Sequence, residues 1–372
     1  MISIGRIVDR LTRKDWTVQE LSAILGSDAS AAWTTHAADS EIRAEATSGG
    51  TVSALVIHGI ERGLFDGAIL CTTSIEDGKV RAKFVLARTK EDVLSCRGSK
   101  YVETRFLREV LPILRSTPGR FAVCGLPCDI SNLRRWEERD PELADRVALR
   151  IALFCGHNSR KELIDGITLR LSREASPARL VDFHFRRGHW RGALLATYSN
   201  GVSISKPATY FTDYRNLGCF SEKKCIACFD HFGYDSDLSI GDVWLYSLRH
   251  DSIKHSGVLV RTDRAAQLMS SAIEGQVIAA TSVPIRMMLD GQSRSAPSHY
   301  NITARSQAGR RLGIYVPDPI GLKTTWVQRL SAYVGLLNMR LSEQPNSAWI
   351  FSIPRPLIRL YLYFKKGLES VR

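Results

Sequence analysis

The sequence predicts an α/β protein (mixed α+β in detail). It would have a largely parallel sheet with flanking helices, an inserted cysteine-rich segment and a helical C-terminal tail. Short apolar runs between glycine or proline turns predict buried strands, and stretches with helical apolar spacing follow several of them. Such alternation favours a layered architecture around a mainly parallel sheet. The 372 residues are 44% hydrophobic and 24% charged, a globular composition that excludes a mainly disordered or low-complexity chain.

These patterns divide the chain into four regions. Residues 1–45 show only a weak helical pattern and are treated as an N-terminal extension. Residues 46–177 show the strand–helix alternation and would form an α/β cofactor-binding region. Residues 178–320 carry a hairpin and the cysteine-rich segment, and residues 321–372 form a basic amphipathic helical tail.

The elements of the second region follow in order along the chain. The predicted strands are 66–71, 121–124 and 147–154. The predicted helices begin just after residue 50, near residue 103 and near residue 129. Thr89 with Asp92, and Ser159 with Glu162, have the spacing of capping boxes and predict two further helix starts.

Beyond residue 177 the pattern becomes that of a hairpin. Residues 181–185 alternate like a half-buried strand. Residues 196–199 and 202–205 flank Asn200-Gly201, a dipeptide typical of a tight hairpin turn. The cysteine-rich segment then runs from residue 218 to residue 242.

The tail combines apolar stripes at helical spacing with basic residues. It contains eight Lys or Arg residues and two Glu residues. Two interpretations stay open: helices that pack on the main body, or basic amphipathic helices that make peripheral contact with an anionic membrane surface. The stripes are Trp326, Leu330, Tyr333, Leu337 and Leu341, and then Leu357, Tyr361, Phe364 and Leu368.

The charge of the whole chain is +13, which favours an anionic ligand or partner. We expect no nucleic-acid partner, because no binding motif is present and the basic residues are spread along the chain. The charged N-terminus lacks the apolar core of a signal peptide, and no run reaches the roughly 18–20 apolar residues of a membrane span. The sequence therefore predicts a cytoplasmic protein, in which the eight cysteines serve metal or redox chemistry rather than disulfides.

The strongest chemical signal is the motif Cys219-x5-Cys225-x2-Cys228. Soft sulfur ligands select zinc or an iron–sulfur cluster, and both usually take four ligands. Cys155 is the first choice for the fourth ligand and Cys128 the alternative, because each follows a predicted buried strand whose carboxyl end faces a ligand crevice. The spacing alone leaves zinc and iron–sulfur open.

Three glycine-containing turns are candidates for holding an anionic cofactor, since free N–H groups at a helix start favour phosphate. Asp242, just past a glycine, is a candidate orienting carboxylate, and His157 and Lys100 are the candidate catalytic residues. None of the turns is a dinucleotide fingerprint or a P-loop. The turns are Ser48-Gly49-Gly50, Gly98-Ser99-Lys100-Tyr101 and Gly125-Leu126-Pro127.

Taken together, these motifs resemble the beta-subunit family of coenzyme F420 hydrogenases and dehydrogenases, which are iron–sulfur flavoproteins. Each stretch is short, but their order and spacing over roughly residues 40–290 are specific to that family. The stretches that carry the resemblance are 46–50, 63–68, 98–101, 123–128, 153–157, 224–228 and 237–244.

The resemblance implies an oxidoreductase that binds FAD against the α/β region and a 4Fe–4S cluster nearby. It implies hydride transfer between the flavin and a deazaflavin or related acceptor, with single electrons passing through the cluster. It assigns the three glycine turns to the flavin and the cysteines to the cluster, and so favours iron–sulfur over zinc. Similar proteins also occur in bacterial polysaccharide gene neighbourhoods, which suggests a role in polysaccharide biosynthesis.

One departure from the family bears on the partner. The chain lacks the N-terminal run of four closely spaced cysteines that some relatives carry. We therefore expect electrons to arrive from a separate electron-transfer protein, or from the deazaflavin or flavin substrate itself. The alternative function from another class is a zinc-stapled basic protein that binds nucleic acid or an anionic membrane surface.

Overall fold

The computed structural model describes residues 16–26, 28–175, 178–344 and 347–370. Its strands form one sheet of eight strands and one of three. In chain order the strands are β1 Ala31–Ala37, β2 Gly67–Glu76, β3 Lys79–Ala87, β4 Phe121–Gly125, β5 Val147–Leu153, β6 Leu180–Arg187, β7 Ala193–Tyr198, β8 Ser203–Pro207, β9 Leu238–Asp242, β10 Ser256–Val260 and β11 Ile278–Ser282.

The large sheet has a parallel centre and antiparallel flanks. Its strand order is β11-β1-β10-β9-β5-β4-β2-β3. The pairs β9–β5, β5–β4 and β4–β2 are parallel, and the other pairs are antiparallel. Five of the eight strands (β1, β2, β4, β5 and β9) therefore point the same way, and the predicted α/β class is confirmed.

Helices connect and cover these strands. The first helices are α1 Val18–Leu25, α2 Ser40–Glu45, α3 Thr51–Glu61, α4 Lys90–Ser95, α5 Phe106–Ser116, α6 Pro127–Glu137, α7 Pro141–Arg146 and α8 Lys161–Ser172. The later ones are α9 Thr209–Asn216, α10 Lys223–Ile226, α11 Asp263–Glu274, α12 Arg286–Gly291, α13 Ala296–Tyr300, α14 Ile302–Leu312, α15 Trp326–Ser342 and α16 Arg355–Ser370. Short 3₁₀ turns lie at Tyr246–Leu248 and Ser347–Ser352.

Alternation along the central strands builds a core on each face of the large sheet. In β4, Ala122 and Cys124 pack with α3 and α11, whereas Phe121 and Val123 pack with α5 and α6. Both faces of the parallel centre are thus covered by helices. Because neither face is left free, the open ends of the strands are where a ligand can reach the sheet.

The three-stranded sheet has a core of its own. Phe183 and Phe185 of β6 pack with Leu163 of α8, Tyr214 of α9 and Ile358 of α16. The predicted hairpin is confirmed, since Asn200 and Gly201 lie between β7 and β8, which pair in antiparallel fashion.

The predicted N-terminal extension contributes a strand to the large sheet. Its residues 1–15 lie outside the described residues. Strand β1 pairs with both β10 and β11, so it lies inside the sheet rather than beside it. Its sequence, Ala-Ala-Trp-Thr-Thr-His-Ala, has few of the aliphatic residues that mark a strand, and its position follows from its two neighbours.

One of the two predicted capping boxes is present. Thr89 and Asp92 exchange both bonds of the box at the start of α4. The box at Ser159 is wrong, because α8 starts at Lys161 with Arg160 as its N-cap and no side-chain bond. Ser159 is instead taken up in an isolated β-bridge with Ser221. A tertiary backbone contact therefore overrides the local signal.

The tail forms the two long helices α15 and α16 and turns apolar side chains outward. On α15, Trp326 is 68% exposed and Leu330 41% exposed, while Val327 is buried. The side chains of the predicted stripe on α16 lie in two environments. Tyr361 packs on the core of the three-stranded sheet, whereas Phe364 is 62% exposed. Among the described residues no helix is long and apolar enough to cross a bilayer.

Candidate cofactor site

A cavity of about 330 Å³, which we call the main cavity, opens where the central parallel strands end. The start of α3 and residues 96–104 form its walls, and β2, β4, β5 and β9 supply its floor. Ligands of open α/β sheets bind at this carboxyl edge. The topology gathers most of the candidate site residues here: Ser48, Gly50, Gly98, Ser99, Lys100, Tyr101, Gly125, Leu126, Cys155, His157 and Asp242.

The turn Ser48-Gly49-Gly50 is fixed against the start of β10. The Ser48 hydroxyl donates to the carbonyl of His255 at 2.9 Å, and the Gly49 amide donates to Oγ of Ser256 at 3.0 Å. Gly50 has φ +79° and ends the turn as the N-cap of α3, with no side chain capping the helix. The first amides of α3 therefore stay available to an anion in the cavity.

Gly49 does not line the cavity, and a different requirement explains its presence. A Cβ at residue 49 would lie 2.5 Å from the carbonyl oxygen of Thr35 and 2.9 Å from the amide of Ser256. Two backbones thus pass too close for any side chain. Gly49 therefore allows the tight turn in which Ser48 and Gly50 line the main cavity.

The turn Gly98-Ser99-Lys100-Tyr101 forms another wall, but its lysine is occupied. The Lys100 ammonium donates to the carbonyls of Cys96, Arg97 and Gly98. Burial lowers its pKa. Because an ammonium has three N–H donors, all are used on the backbone, and this geometry gives no support to a catalytic role for Lys100. The lysine instead closes the end of α4.

The turn Gly125-Leu126-Pro127 joins β4 to α6. Gly125 and Leu126 line the main cavity, whereas Pro127 lines a smaller cavity next to it. Pro127 occupies the first turn of α6, where its missing N–H costs nothing. The turn therefore separates the two cavities.

Four cysteines line that smaller cavity, which we call the cysteine cavity. They are Cys128, Cys155, Cys225 and Cys228. Burial raises the pKa of every one of these thiols. The pKa values of Cys128, Cys155 and Cys228 are raised further by at least one other cysteine of the set. Among the residues described, no three His, Cys, Asp or Glu side chains stand close enough together to hold a single metal ion. What the cavity offers is a set of four soft sulfur donors.

Hydrogen bonds orient the loop that carries two of these thiols. The backbone N–H of Asn158 donates to Sγ of Cys225 at 3.3 Å. The Arg305 guanidinium donates to the carbonyls of Cys225, Ile226 and Cys228. Such outer contacts fix ligand geometry at metal and cluster sites. Nothing in the local sequence marked Arg305, which lies 77 residues beyond Cys228.

Cys219 is placed apart from the four. Its side chain is 6% exposed within the core of the three-stranded sheet, and it does not line the cysteine cavity. The expected ligand set with Cys219 therefore does not come together, and Cys128 and Cys155, which the sequence offered as alternatives, are both present. The reason is that residues 219 and 225 are separated by a tight turn and the start of helix α10, which direct them to different surroundings.

His157 lies where the main cavity and the cysteine cavity meet. Its Nε2 contacts the carbonyl oxygen of Arg215 at 3.1 Å. Burial, reinforced by the nearby Arg215 charge, holds the pKa of His157 well below its ordinary value. The imidazole is therefore neutral at pH 7.

Asp242 is bound by an arginine that the sequence analysis missed. Nη1 of Arg186, on β6, donates to Asp242 at 2.6 Å and to the Tyr101 hydroxyl at 3.3 Å. Its second terminal nitrogen donates to the carbonyl of Thr47 at 3.0 Å. Strict alternation would turn Arg186 away from the buried Phe185, but a register irregularity between His184 and Arg187 turns it inward.

Two family models match most of this chain. Residues 32–111 match the model described as coenzyme F420 hydrogenase/dehydrogenase, beta subunit N-term, and residues 119–285 match the model for the C terminus of the same beta subunit. The chain belongs to this family. The resemblance expected from the motifs is confirmed, and the match begins inside the predicted extension.

Individual relatives are distant. An uncharacterized protein of Methanocaldococcus jannaschii is 28% identical over 210 residues, which cover 53% of each chain. The coenzyme F420 hydrogenase subunit beta of Methanococcus voltae is 24% identical over 253 residues, 65% of this chain and 81% of that protein. The chloroplastic 7-hydroxymethyl chlorophyll a reductase of Oryza sativa is 22% identical over 228 residues, 61% of this chain and 46% of the reductase. The first and third matches thus span about half of the relative.

A solved structure shares the fold. One chain of the F420-reducing NiFe hydrogenase complex from Methanosarcina barkeri superposes with a TM-score of 0.59 at 18% identity, covering 78% of this chain and 97% of that one. The α/β architecture is therefore shared with a chain of a hydrogenase complex.

Proposed function

We propose that this protein is an iron–sulfur flavoprotein oxidoreductase that exchanges electrons between a bound FAD and a deazaflavin or related acceptor. One observation carries the proposal: the main cavity and the cysteine cavity adjoin and share Leu126, Cys155, His157 and Asn158. A flavin site and a cluster site in direct contact suit electron transfer between them. Membership of an oxidoreductase family supports the same reading.

The main cavity has the groups that a flavin dinucleotide needs. The uncapped start of α3, after Ser48 and Gly50, supplies amides for a phosphate. Gly98, where an added Cβ would meet no atom within 4 Å, leaves space for a planar ring beside the backbone. When bound, FAD supplies the two-electron and one-electron chemistry, and the protein supplies binding, orientation and exclusion of water.

The cysteine cavity fits a cluster by donor chemistry. Its four thiols would hold a 4Fe–4S cluster. Zinc, the alternative that the spacing left open, would need these thiols to move closer together than they stand in the described residues. Burial keeps these thiols protonated in the free protein, so metal binding must release their protons. The Asn158 amide and the Arg305 guanidinium then hold the Cys225–Cys228 loop in place.

His157 is a candidate for positioning a cofactor rather than for carrying a proton. Its neutral ring forms part of the wall between the two cavities and is held by the Arg215 carbonyl. A neutral imidazole can donate one hydrogen bond and accept another without adding charge beside the cofactors. The electron donor would be a separate protein or the reduced deazaflavin itself.

Anaerobic reconstitution tests this function. The full chain, incubated with FAD, iron and sulfide, should show flavin absorption together with about four irons per chain, as Cys₄ ligation of a cubane cluster predicts. A colourless protein with a single zinc would support the alternative, and a protein that takes up neither chromophore would refute the proposal.

We also propose that the protein works at the surface of an anionic membrane, on the cytoplasmic side. The support is the outer face of α15 and α16, which we define as Trp326, Leu330, Leu337, Leu357, Leu360, Tyr363 and Phe364, all between 39% and 77% exposed. Arg329 and Arg340 are exposed on α15 at helical spacing from this stripe, and no carboxylate pairs with either within the described ranges. Apolar and aromatic side chains beside arginines are typical of helices that lie on lipid headgroups.

A further inference from the structure

A third cavity, of about 140 Å³, lies between the C-terminal helices and the segments that follow β5 and α9, and we call it the tail cavity. It adjoins the cysteine cavity at His157 and Cys225, and His157 also lines the main cavity. Most of its lining residues lie beyond residue 285, where the second family match ends. We propose that the tail cavity binds a small polyhydroxylated ligand that carries one oxyanion group, apart from the flavin and the cluster.

One face of α15 leaves the space of the tail cavity open. Ser331, Ala332 and Gly335 line it at helical spacing, and all three have small side chains or none. A Cβ added at Gly335 would meet no atom within 4 Å. An unfilled cavity costs stability, and protein interiors are otherwise closely packed. The small residues therefore preserve a volume that helix packing alone does not require.

Polar groups without protein partners face this volume. Among the described residues the Ser331 hydroxyl makes no hydrogen bond, although Ser331 is only 7% exposed. The side chains of Ser221 and Asn301 also line the cavity and have no hydrogen-bond partner in the described part of the chain. Buried polar groups are nearly always satisfied by protein, water or ligand. Hydroxyl and amide groups in this arrangement suit the hydroxyls of a ligand.

The charge of the tail cavity is positive. Arg305 and Lys365 line it, and no carboxylate does so within the described ranges. Lys365 is half-buried on α16. Burial lowers the pKa of His157, and the charges of Arg215 and Lys365 lower it further, which places the Lys365 ammonium near this wall. A partly enclosed site with cations and without carboxylates favours an anion.

The size of the tail cavity limits the ligand. Its volume corresponds to about ten water molecules, at roughly 10–15 Å³ for each on this measure. A ligand with on the order of ten non-hydrogen atoms fits this space, whereas a flavin is too large. Glycerol phosphate combines the expected size, hydroxyls and oxyanion, and it is therefore the probe.

Calorimetric titration of the FAD-loaded, cluster-reconstituted full chain tests the proposal. Loading with FAD occupies the main cavity, so the probe cannot bind there. Glycerol phosphate should bind at least tenfold more tightly than uncharged glycerol. Lys365→Gln should weaken the binding of glycerol phosphate at least tenfold. Lys366→Gln is the matched control, because it removes the same charge from the next residue, which donates to the Ser293 carbonyl and does not line the cavity.

A second pair of variants tests the cavity without changing its charge. Gly335→Leu should abolish binding by filling the space, and it should not lower the thermal midpoint because leucine is the better helix former. Gly367→Leu makes the same change on α16, where an added Cβ also meets no atom within 4 Å but the residue does not line the cavity. It should leave binding unchanged.

A vesicle assay distinguishes two sources of this ligand chemistry, a free metabolite and a lipid headgroup. Phosphatidylglycerol presents glycerol phosphate groups at a membrane surface. Under the headgroup form of the proposal, saturating glycerol phosphate should displace the chain from phosphatidylglycerol vesicles, and Gly335→Leu should not sediment with them. Under the metabolite form, neither change affects sedimentation.

Two results would overturn the proposal. One is that glycerol phosphate does not bind to the FAD-loaded chain. The other is binding that both Lys365→Gln and Gly335→Leu leave unchanged. If the chain takes up no FAD, the proposed function fails separately. The same variants, titrated as the unloaded chain, still decide the tail cavity because they lie outside the main cavity.

Discussion

The thiol of Cys128 lies in the first turn of α6, beside Asp129 and Lys224. Its Sγ is 3.9 Å from an Asp129 oxygen, and Lys224 approaches the same carboxylate at 3.6 Å. The positive end of α6 and the Lys224 ammonium both favour a thiolate, but burial dominates and raises the pKa of Cys128. A metal that replaces the proton would reverse that balance, because the negative sulfur then has a cation bound to it.

Two serine variants decide between ligand sets at the residue scale. Cys128→Ser should remove most of the iron from the reconstituted protein, because it takes one of the four thiols from the cysteine cavity. Cys219→Ser is the matched control, since it alters a buried thiol outside that cavity and should leave four irons per chain. Iron analysis and visible absorption check both. Loss of iron from Cys219→Ser with retention in Cys128→Ser would restore the ligand set expected from spacing.

Helix α3 links the cofactor site to the core of the large sheet. Its first turn forms a wall of the main cavity, and Leu55 and Val56 are fully buried against the sheet. In its last turn, Nε2 of His58 contacts Oγ of Ser271 on α11 at 2.9 Å. The helix is therefore fixed along its length, and it holds the turn at Gly50 in place.

The buried His58, which lies at the contact between α3 and α11, makes stability depend on pH. Burial lowers the pKa of His58 below 6.5, with Arg62 as a smaller contribution. As the pH drops below 6.5, His58 takes up a proton more readily in the unfolded chain than in the folded chain, so the free energy of unfolding falls. His58→Gln should reduce the loss of unfolding free energy between pH 7 and pH 5, measured by denaturant titration.

Ser271→Ala is the control for this prediction. It removes the hydroxyl partner but keeps the histidine, so it should lower stability at both pH values and retain the pH dependence. An unchanged dependence in His58→Gln would assign the effect to other buried histidines.

At the scale of the whole molecule, Arg186 joins the two sheets across the site. It belongs to β6 of the small sheet and bonds Asp242 at the end of β9 and the carbonyl of Thr47 before α3. Arg186 therefore ties the small sheet to the edge of the large sheet at which the main cavity opens.

The C-terminal helices give the molecule an apolar outer face, and vesicle binding tests its role. The full chain should sediment with vesicles of phosphatidylglycerol and phosphatidylcholine, but at least tenfold less with pure phosphatidylcholine. Leu360→Ser/Phe364→Ser should abolish this binding, because these side chains are 68% and 62% exposed on α16. Leu169→Ser/Tyr246→Ser, at exposed apolar positions elsewhere, should not.

Two results would contradict membrane contact. One is an absence of binding to either kind of vesicle. The other is self-association of the full chain that Leu360→Ser/Phe364→Ser abolishes, which would assign the outer face to a second copy.

Local signals in the sequence were enough for the parallel strands β2, β4 and β5 of the large sheet and for the family. Thr89 with Asp92 predicted the start of α4, and the apolar run at 121–124 predicted β4, because both depend on neighbouring residues. The glycine turns were identifiable for the same reason. Strand β1 was missed, since its pairing with β10 and β11 depends on residues more than 200 positions away.

The sequence by itself determined the fold class, the three glycine turns and the Cys225–Cys228 pair, since each is written in adjacent residues. Tertiary structure alone decided that Cys128 and Cys155 both join that pair while Cys219 does not, and that Arg186 and Arg305 lie beside the site. The physical reason is that these groups meet where separate strands end. Their proximity is set by strand order and packing, which no local spacing records.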